Sequence, residues 1–212
     1  MNTLHLEAPW QAALEEAWAA YLGGSYPIGA CVADVSGQVL ARGRNRLGEV
    51  RRVDGVISGH RLGHAEVNAL LALPDLSADE HRTLTLYTTT EPCPMCLGAL
   101  VMARVGTLAY AAADLYAGTA GLLSDHPYMQ LKEVQVSRAP AEVTWACLLL
   151  GLTFHLDRGM SPAHPFLALH REHEPQAYAV AEALHGSGAL AALRARQAPL
   201  SGGLALLGAA GA

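Results

Sequence analysis

His64-Ala65-Glu66 and, further along, Pro92-Cys93-Pro94-Met95-Cys96 are the residues whose types and spacing could do chemistry. One imidazole and two thiolates can hold a zinc ion and leave its fourth position for water. Three protein ligands plus water is the pattern of a catalytic zinc, whereas structural sites are closed by four protein ligands. Zinc acts on such a water as a Lewis acid and brings its pKa down to about 7 in favourable sites. Glu66, two residues after the histidine, is placed to move that water's protons. This chemistry suits attack on a polarised carbon followed by loss of an amine.

The spacing makes demands on the backbone. Cys93 and Cys96 are three apart, so the first turn of a helix puts both sulfurs on one side. Pro92 and Pro94 set that helix start, where free N–H groups and the dipole favour thiolate. Residues two apart in mid-helix point in different directions. His64 and Glu66 can therefore share a site only where a helix begins, with His64 near the cap and Gly63 just before it. The site is expected where two helix N-termini meet at the strand ends of a sheet.

The elements that must position these residues follow from pattern. Residues 14–22 read as a helix stopped by Gly23-Gly24. Residues 28–33 and 39–41 are β-type runs joined by a hairpin signal at Ser36-Gly37. Residues 44–63 are polar and glycine-bearing, and read as a long functional loop. Helices are expected over 64–73, 94–104 and 141–156, and strands over 83–89, 107–111 and 134–137. This alternation points to an α/β layer fold, with parallel pairs after the first hairpin. Beyond residue 159 the composition shifts, 176–195 reads as one helix, and 201–212 is Gly/Ala/Leu-rich and expected to fray. The division is thus 1–159 as the catalytic domain and 160–212 as a partly helical extension.

Hydrophobic residues make up 51% of the 212, enough for a core. Mean hydropathy is +0.21, yet no apolar run approaches the ~20 residues that span a bilayer. Residues 1–7 lack a basic stretch followed by an apolar one, so a cytoplasmic protein is expected, with no membrane association. Four cysteines in a chain of this length do not make a disulfide scaffold. The formal charge of −5 disfavours a polyanion partner, because nucleic-acid affinity rests on phosphate neutralisation. Arg42, Arg44, Arg46, Arg51, Arg52 and Arg61 are a local basic cluster that keeps RNA open.

The motif residues resemble those of the cytidine-deaminase-like zinc deaminases, whose signature joins H-x-E to P-C-x-x-C. The resemblance covers roughly residues 12–159 and extends past the zinc motif. Tyr26-Pro27-Ile28-Gly29-Ala30, Gly43-Arg44-Asn45, Thr88-Thr89-Thr90-Glu91-Pro92, Ala113-Asp114 and Thr119-Ala120-Gly121 look like segments of the nucleobase and tRNA adenosine deaminase branch. The resemblance implies a three-layer α/β/α sandwich around a five-stranded mixed sheet. It implies His64, Cys93 and Cys96 as ligands of one Zn²⁺ per chain and Glu66 as the proton shuttle. Asn45 would bind substrate, the backbone of Gly29 and Ala30 would line the base pocket, and Asp114 would sit at its mouth. The implied function is hydrolytic deamination of a small nucleobase or nucleoside with release of ammonia, in a homodimer or larger assembly. The alternative is deamination of adenosine in tRNA.

Other readings of the same residues stand beside this one. His60 could close a two-Cys, two-His structural site, and Cys93-Pro94-Met95-Cys96 could be a redox pair. A zinc-holding interaction module that lost catalysis is a third class, opposed by the retained Glu66. Asn45 could be a turn residue, and Asp114 a helix cap. Cys31 and Cys147 are expected in the core, and His170 and His173 on the surface. Tyr26, Tyr116, Tyr128 and Phe166 are the candidates to stack on a base.

Overall fold

The computed structural model describes residues 6–51 and 53–209. The expectations for residues 1–5, for Arg52 and for the last three residues lie outside this range.

The opening helix α1 (Ala8–Leu22) is followed by β1 (Gly29–Ala33) and β2 (Val39–Arg44), an antiparallel hairpin. Its turn is tied by Asp34, whose Oδ1 accepts from the backbone N–H of Ser36 and of Gln38. Then come α2 (Ala65–Leu71), α3 (Ala78–Thr83), β3 (Thr85–Thr90), α4 (Pro94–Met102) and β4 (Thr107–Ala112). Two short turns, α5 (Leu122–Asp125) and α6 (Pro127–Gln130), lead to β5 (Gln135–Arg138) and to α7 (Ala141–Asp157). The chain ends with α8 (Pro165–His173), α9 (Pro175–Ser187), α10 (Ala189–Ala195) and α11 (Leu200–Ala209).

The sheet has five strands in the order β2-β1-β3-β4-β5. β3 pairs with β4 and β4 with β5 in parallel, while β1 meets β3 antiparallel. The sheet is therefore mixed. Side chains alternate across it as the pleat requires. Ala30, Val32, Leu86, Leu108 and Tyr110 pack on one face with α2 and α4. Ala109 and Ala111 pack on the other with α1 and α7, and Cys31 packs there with Ala12 and Ala13 of α1. This is the three-layer α/β/α sandwich.

Two glycines let helices come close to the hairpin. A Cβ on Gly29 would lie 2.1 Å from the carbonyl oxygen of Ala13, and one on Gly43 would lie 2.2 Å from the backbone nitrogen of Ala69. Only a residue without a side chain admits α1 over one strand and α2 over the other.

The C-terminal residues differ from expectation. The single helix expected over 176–195 is two, because Gly188 adopts φ +65° and turns the chain between α9 and α10. Residues 201–209 form most of α11, with Leu207 buried. A Cβ on Gly203 would meet the Trp18 ring at 2.7 Å, so the glycine lets this helix lie on the indole. The Trp18 Nε1–H donates to the carbonyl of Ala198 at 2.7 Å. Leu167, Tyr178, Leu184 and Leu190 share one core with Trp10, Trp18 and Leu149. Cys31 and Cys147 are buried free thiols. His170 is buried at 1% exposure, against the surface position expected for it, and only His173 is exposed. Among the described residues no helix is long and apolar enough to cross a membrane.

Candidate metal centre and active site

Strand β3 carries the chain to Thr90, and the Glu91 N–H extends the ladder by donating to the Ala112 carbonyl. Pro92 then ends pairing. Cys93 is the N-cap of α4, with extended backbone (φ −70°, ψ 170°), and Pro94 occupies the first turn. His64 is the N-cap of α2, again extended (φ −82°, ψ 154°), and Glu66 lies in the first turn. The non-helical cap is what lets His64 and Glu66 face one site. The long loop before it is anchored by Asn68, which is buried. Its Oδ1 accepts from the Ile57 N–H, and its Nδ2 donates to the carbonyls of Arg44 and Ile57.

The two helix starts bring together His64, Cys93 and Cys96, whose ligand atoms all lie within 4.8 Å of one another. His64 Nδ1 is 3.6 Å from Cys93 Sγ and 3.4 Å from Cys96 Sγ. Zinc at ordinary bond lengths in a tetrahedron holds nitrogen and sulfur about 3.6 Å apart. The donor set and its spacing therefore fit that ion. Glu66 is 4% exposed, and its Oε2 lies 3.3 Å from Cys96 Sγ.

Electrostatics follow from this crowding. A hydrogen bond from Cys96 holds the Cys93 thiol down to about 4, while the same bond and burial push the Cys96 thiol up. The pair thus favours a thiolate at Cys93. Its hydrogen bond to His64 raises that imidazole. Burial raises the Glu66 carboxyl and so favours its protonated form.

The remaining candidates are placed as follows. Asn45 is buried, and its Oδ1 accepts from the Leu47 N–H in a local turn. Gly29 and Ala30 lie within β1, and the Gly29 N–H donates to Thr89 Oγ1 at 3.0 Å. A cavity of about 340 Å³ is walled instead by the preceding residues Tyr26, Pro27 and Ile28, with Thr90, Asp114 and Tyr116. His155, Met160, His164 and Phe166 form its far side. None of His64, Glu66, Cys93 and Cys96 lines this cavity. It reaches Thr90, the last residue of β3 and three residues before Cys93. Three of the four stacking candidates, Tyr26, Tyr116 and Phe166, line it. Tyr128 lies elsewhere, against Met102. His60 is not in the metal group. Its Nδ1 accepts from the Leu62 N–H, so no closed two-Cys, two-His site forms among the described residues.

Sequence reasoning assigns Glu91 no role, yet its carboxylate organises the pocket loop. Oε1 accepts from the Ala120 N–H at 3.0 Å and Oε2 from the Asp114 N–H at 3.3 Å. The Pro92 carbonyl accepts from Thr119 Oγ1 and from its N–H, both at 3.0 Å. The loop after β4 is thus fastened to the residues just before Cys93. An acid directly before Pro-Cys at a strand end was the available signal. His155 and His164 carry no such signal, because only the fold returns them to Asp114.

The comparisons agree with this geometry. The chain is 35% identical over 112 residues to the tRNA-specific adenosine deaminase of Bacillus subtilis (52% of this chain, 64% of that protein). It is also 35% identical over 111 residues to the guanine deaminase of Bacillus subtilis, with the same coverages. Over 105 residues it is 42% identical to the tRNA(Ile)-lysidine synthase of Deinococcus radiodurans, covering 47% of this chain and 17% of that protein. The chain thus spans less than two thirds of these relatives' lengths. A solved structure in complex with 2,6-diaminopurine superposes with TM-score 0.54 at 25% identity, covering 73% of this chain and 84% of that one. The sequence profile of the MafB19-like deaminases matches residues 5–154, which include both helix starts and the strands that carry them, and the chain belongs to that family.

Proposed function

We propose that this protein is a zinc-dependent hydrolytic deaminase of a small nucleobase or nucleoside. The observation that carries this is one imidazole and two sulfurs at tetrahedral zinc spacing beside a buried carboxyl. Zinc, when bound to His64, Cys93 and Cys96, supplies the Lewis acid that makes water nucleophilic near neutral pH. Glu66 takes one proton of the attacking water and delivers it to a ring nitrogen, then takes the second from the newly formed hydroxyl and hands it to the departing amine. The bond between the ring carbon and its exocyclic amino nitrogen breaks, a C–O bond forms at that carbon, and ammonia leaves. Asn45 holds the substrate through its Nδ2, its Oδ1 being engaged by Leu47. The family's relatives support the reaction class, and the ligand of the superposed structure supports a base-sized substrate.

Charge pairing supports the small substrate over tRNA. Arg42 pairs with Glu15 at 2.6 Å, Arg44 with Glu49 at 2.9 Å, and Arg46 with Glu49 at 2.6 Å. Half of the basic cluster is thus committed to carboxylates, leaving less to neutralise phosphate. Arg51 and Arg61 share an open cleft with His60, and this is the observation that favours a tRNA substrate. Tight tRNA binding, weakening steeply with salt, would select it.

Glu66→Gln tests the catalytic reading. The variant is expected to retain one zinc per chain by metal analysis and to lose ammonia release by about 10²–10⁴-fold. Undiminished release from a panel of bases would overturn the role of Glu66. Purified wild-type protein without zinc would overturn the reading itself.

A further inference from the structure

The cavity that reaches Thr90 has one wall made by residues beyond the family match, which ends at residue 154. That wall is built and held by the same chain. Leu167 of α8 is fully buried in the core, and His170 Nδ1 faces the Phe166 carbonyl at 2.8 Å. His170 Nε2 faces the Ala113 carbonyl at 3.5 Å, which ties α8 to the pocket loop next to Asp114. Phe166 is sandwiched between two imidazoles, His155 at 4.3 Å and His170 at 4.4 Å between ring centres.

Two histidines, His155 and His164, line this wall, and His170 packs on Phe166 beside it. His164 Nδ1 accepts from the Phe166 N–H at 3.2 Å, and both nitrogens of His170 face carbonyls. His155 differs. It lines the cavity, its ring packs on Tyr26 at 5.4 Å as well as on Phe166, and neither ring nitrogen has a hydrogen-bond partner among the described residues. The ring is half-buried between these aromatic neighbours, and its nitrogens are free to bond to whatever occupies the cavity. Burial, first, and then the nearby charges of His164, His170 and Arg158 lower its pKa to about 4. The ring is accordingly neutral near pH 7, with one nitrogen donating and the other accepting. Asp114 stands in the same cavity, with Oδ1 held by the N–H groups of Tyr116 and Ala117.

We propose that His155 contacts the substrate, reading the ring edge of the base that is remote from the reacting amino group, with Phe166 and Tyr26 holding it. The ligand class is a planar heterocycle with both a donor and an acceptor on that edge. The claim rests on the deaminase reading for the identity of the ligand. It adds that the segment after residue 154 sets base choice within its own subunit.

The test uses zinc-loaded full-length protein and the unreactive products xanthine, hypoxanthine and uracil as probes in equilibrium dialysis. The wild type is expected to bind one of them in preference to the others. His155→Phe keeps the ring and removes both hydrogen-bonding nitrogens. It is expected to weaken that binding by about tenfold or more and to raise KM more than it lowers kcat. His155→Gln, which can still donate and accept, is expected to recover most of the loss, a result that a packing role would not give. Should His155→Phe fail to fold, His155→Asn, too short to reach, takes its place with the same expectation. Equal binding by wild type and His155→Phe overturns the proposal, as does failure of the wild type to bind any probe. Base binding that depends on His155 without ammonia release would sink the deaminase reading and leave this one standing. Ammonia release indifferent to His155→Phe would do the reverse.

Discussion

At the scale of single residues, the side chains that hold the site differ from those that do its chemistry. Glu91 reaches no metal ligand, yet its two oxygens take the backbone N–H groups of Asp114 and Ala120. Hydrogen bonds to a charged group are worth about 1.5–3 kcal/mol each. Glu91→Ala is therefore expected to lower stability by about 2–4 kcal/mol in urea unfolding and to speed proteolysis within residues 113–121. Gly118 shares this fastening, since a Cβ there would lie 2.5 Å from the Glu91 carboxyl carbon and from the Asp114 carbonyl. Gly118→Ala is expected to give the same cleavage pattern while Glu91 is intact. Unchanged proteolysis in both variants would show that the loop is held by other means.

At the scale of elements, function depends on two helices that begin at one place. The start of α4 was legible because Pro92 and Pro94 bracket Cys93. The start of α2 was legible because two residues so spaced can meet only at a cap. Other elements carried signals that went unread. Ser77 and Glu80 form a capping box at α3, with Ser77 Oγ accepting from the Glu80 N–H and Glu80 accepting in return. The approach of α2 to the hairpin depends on Gly43, where a Cβ would lie 2.2 Å from Ala69 N and 2.4 Å from the Ala65 carbonyl. Backbone cannot yield as a side-chain tip does. Gly43→Ala is expected to push α2 away and to carry His64 and Glu66 with it. Destabilisation of about 1–3 kcal/mol or more should accompany weaker zinc retention against a chelator. Stability loss with unchanged retention would show that the helix start is fixed independently of Gly43.

At the scale of the whole molecule, the C-terminal helices are fused to the core, and this makes stability sensitive to acid. His155 lies in α7 and lines the same cavity as Asp114, with His164, His170 and Arg158 near enough to act on it. Its folded pKa, about 4, lies below the ordinary value near 6.5. As pH falls the unfolded chain takes this proton first. The stabilisation from a neutral His155 is therefore complete above about pH 6.5 and is lost between there and pH 4. The amount at stake is at most about 3 kcal/mol. Urea midpoints of the wild type are expected to drop across that window and those of His155→Phe to drop less. Parallel curves would exclude His155 as the source.

The sequence by itself determined the chemistry. Imidazole, two thiols and a carboxyl at their spacings admit few arrangements, because cap geometry and the helical turn are local physics. It also determined the strand and helix alternation, since apolar periodicity reports burial within each element. Only the tertiary structure decided what the pocket is made of. Phe166 and His164 meet Tyr116 and Asp114 across some fifty positions of chain, and Gly203 admits Trp18 from the far end. Such contacts leave no local periodicity, because they depend on how whole helices pack and not on the residues beside them.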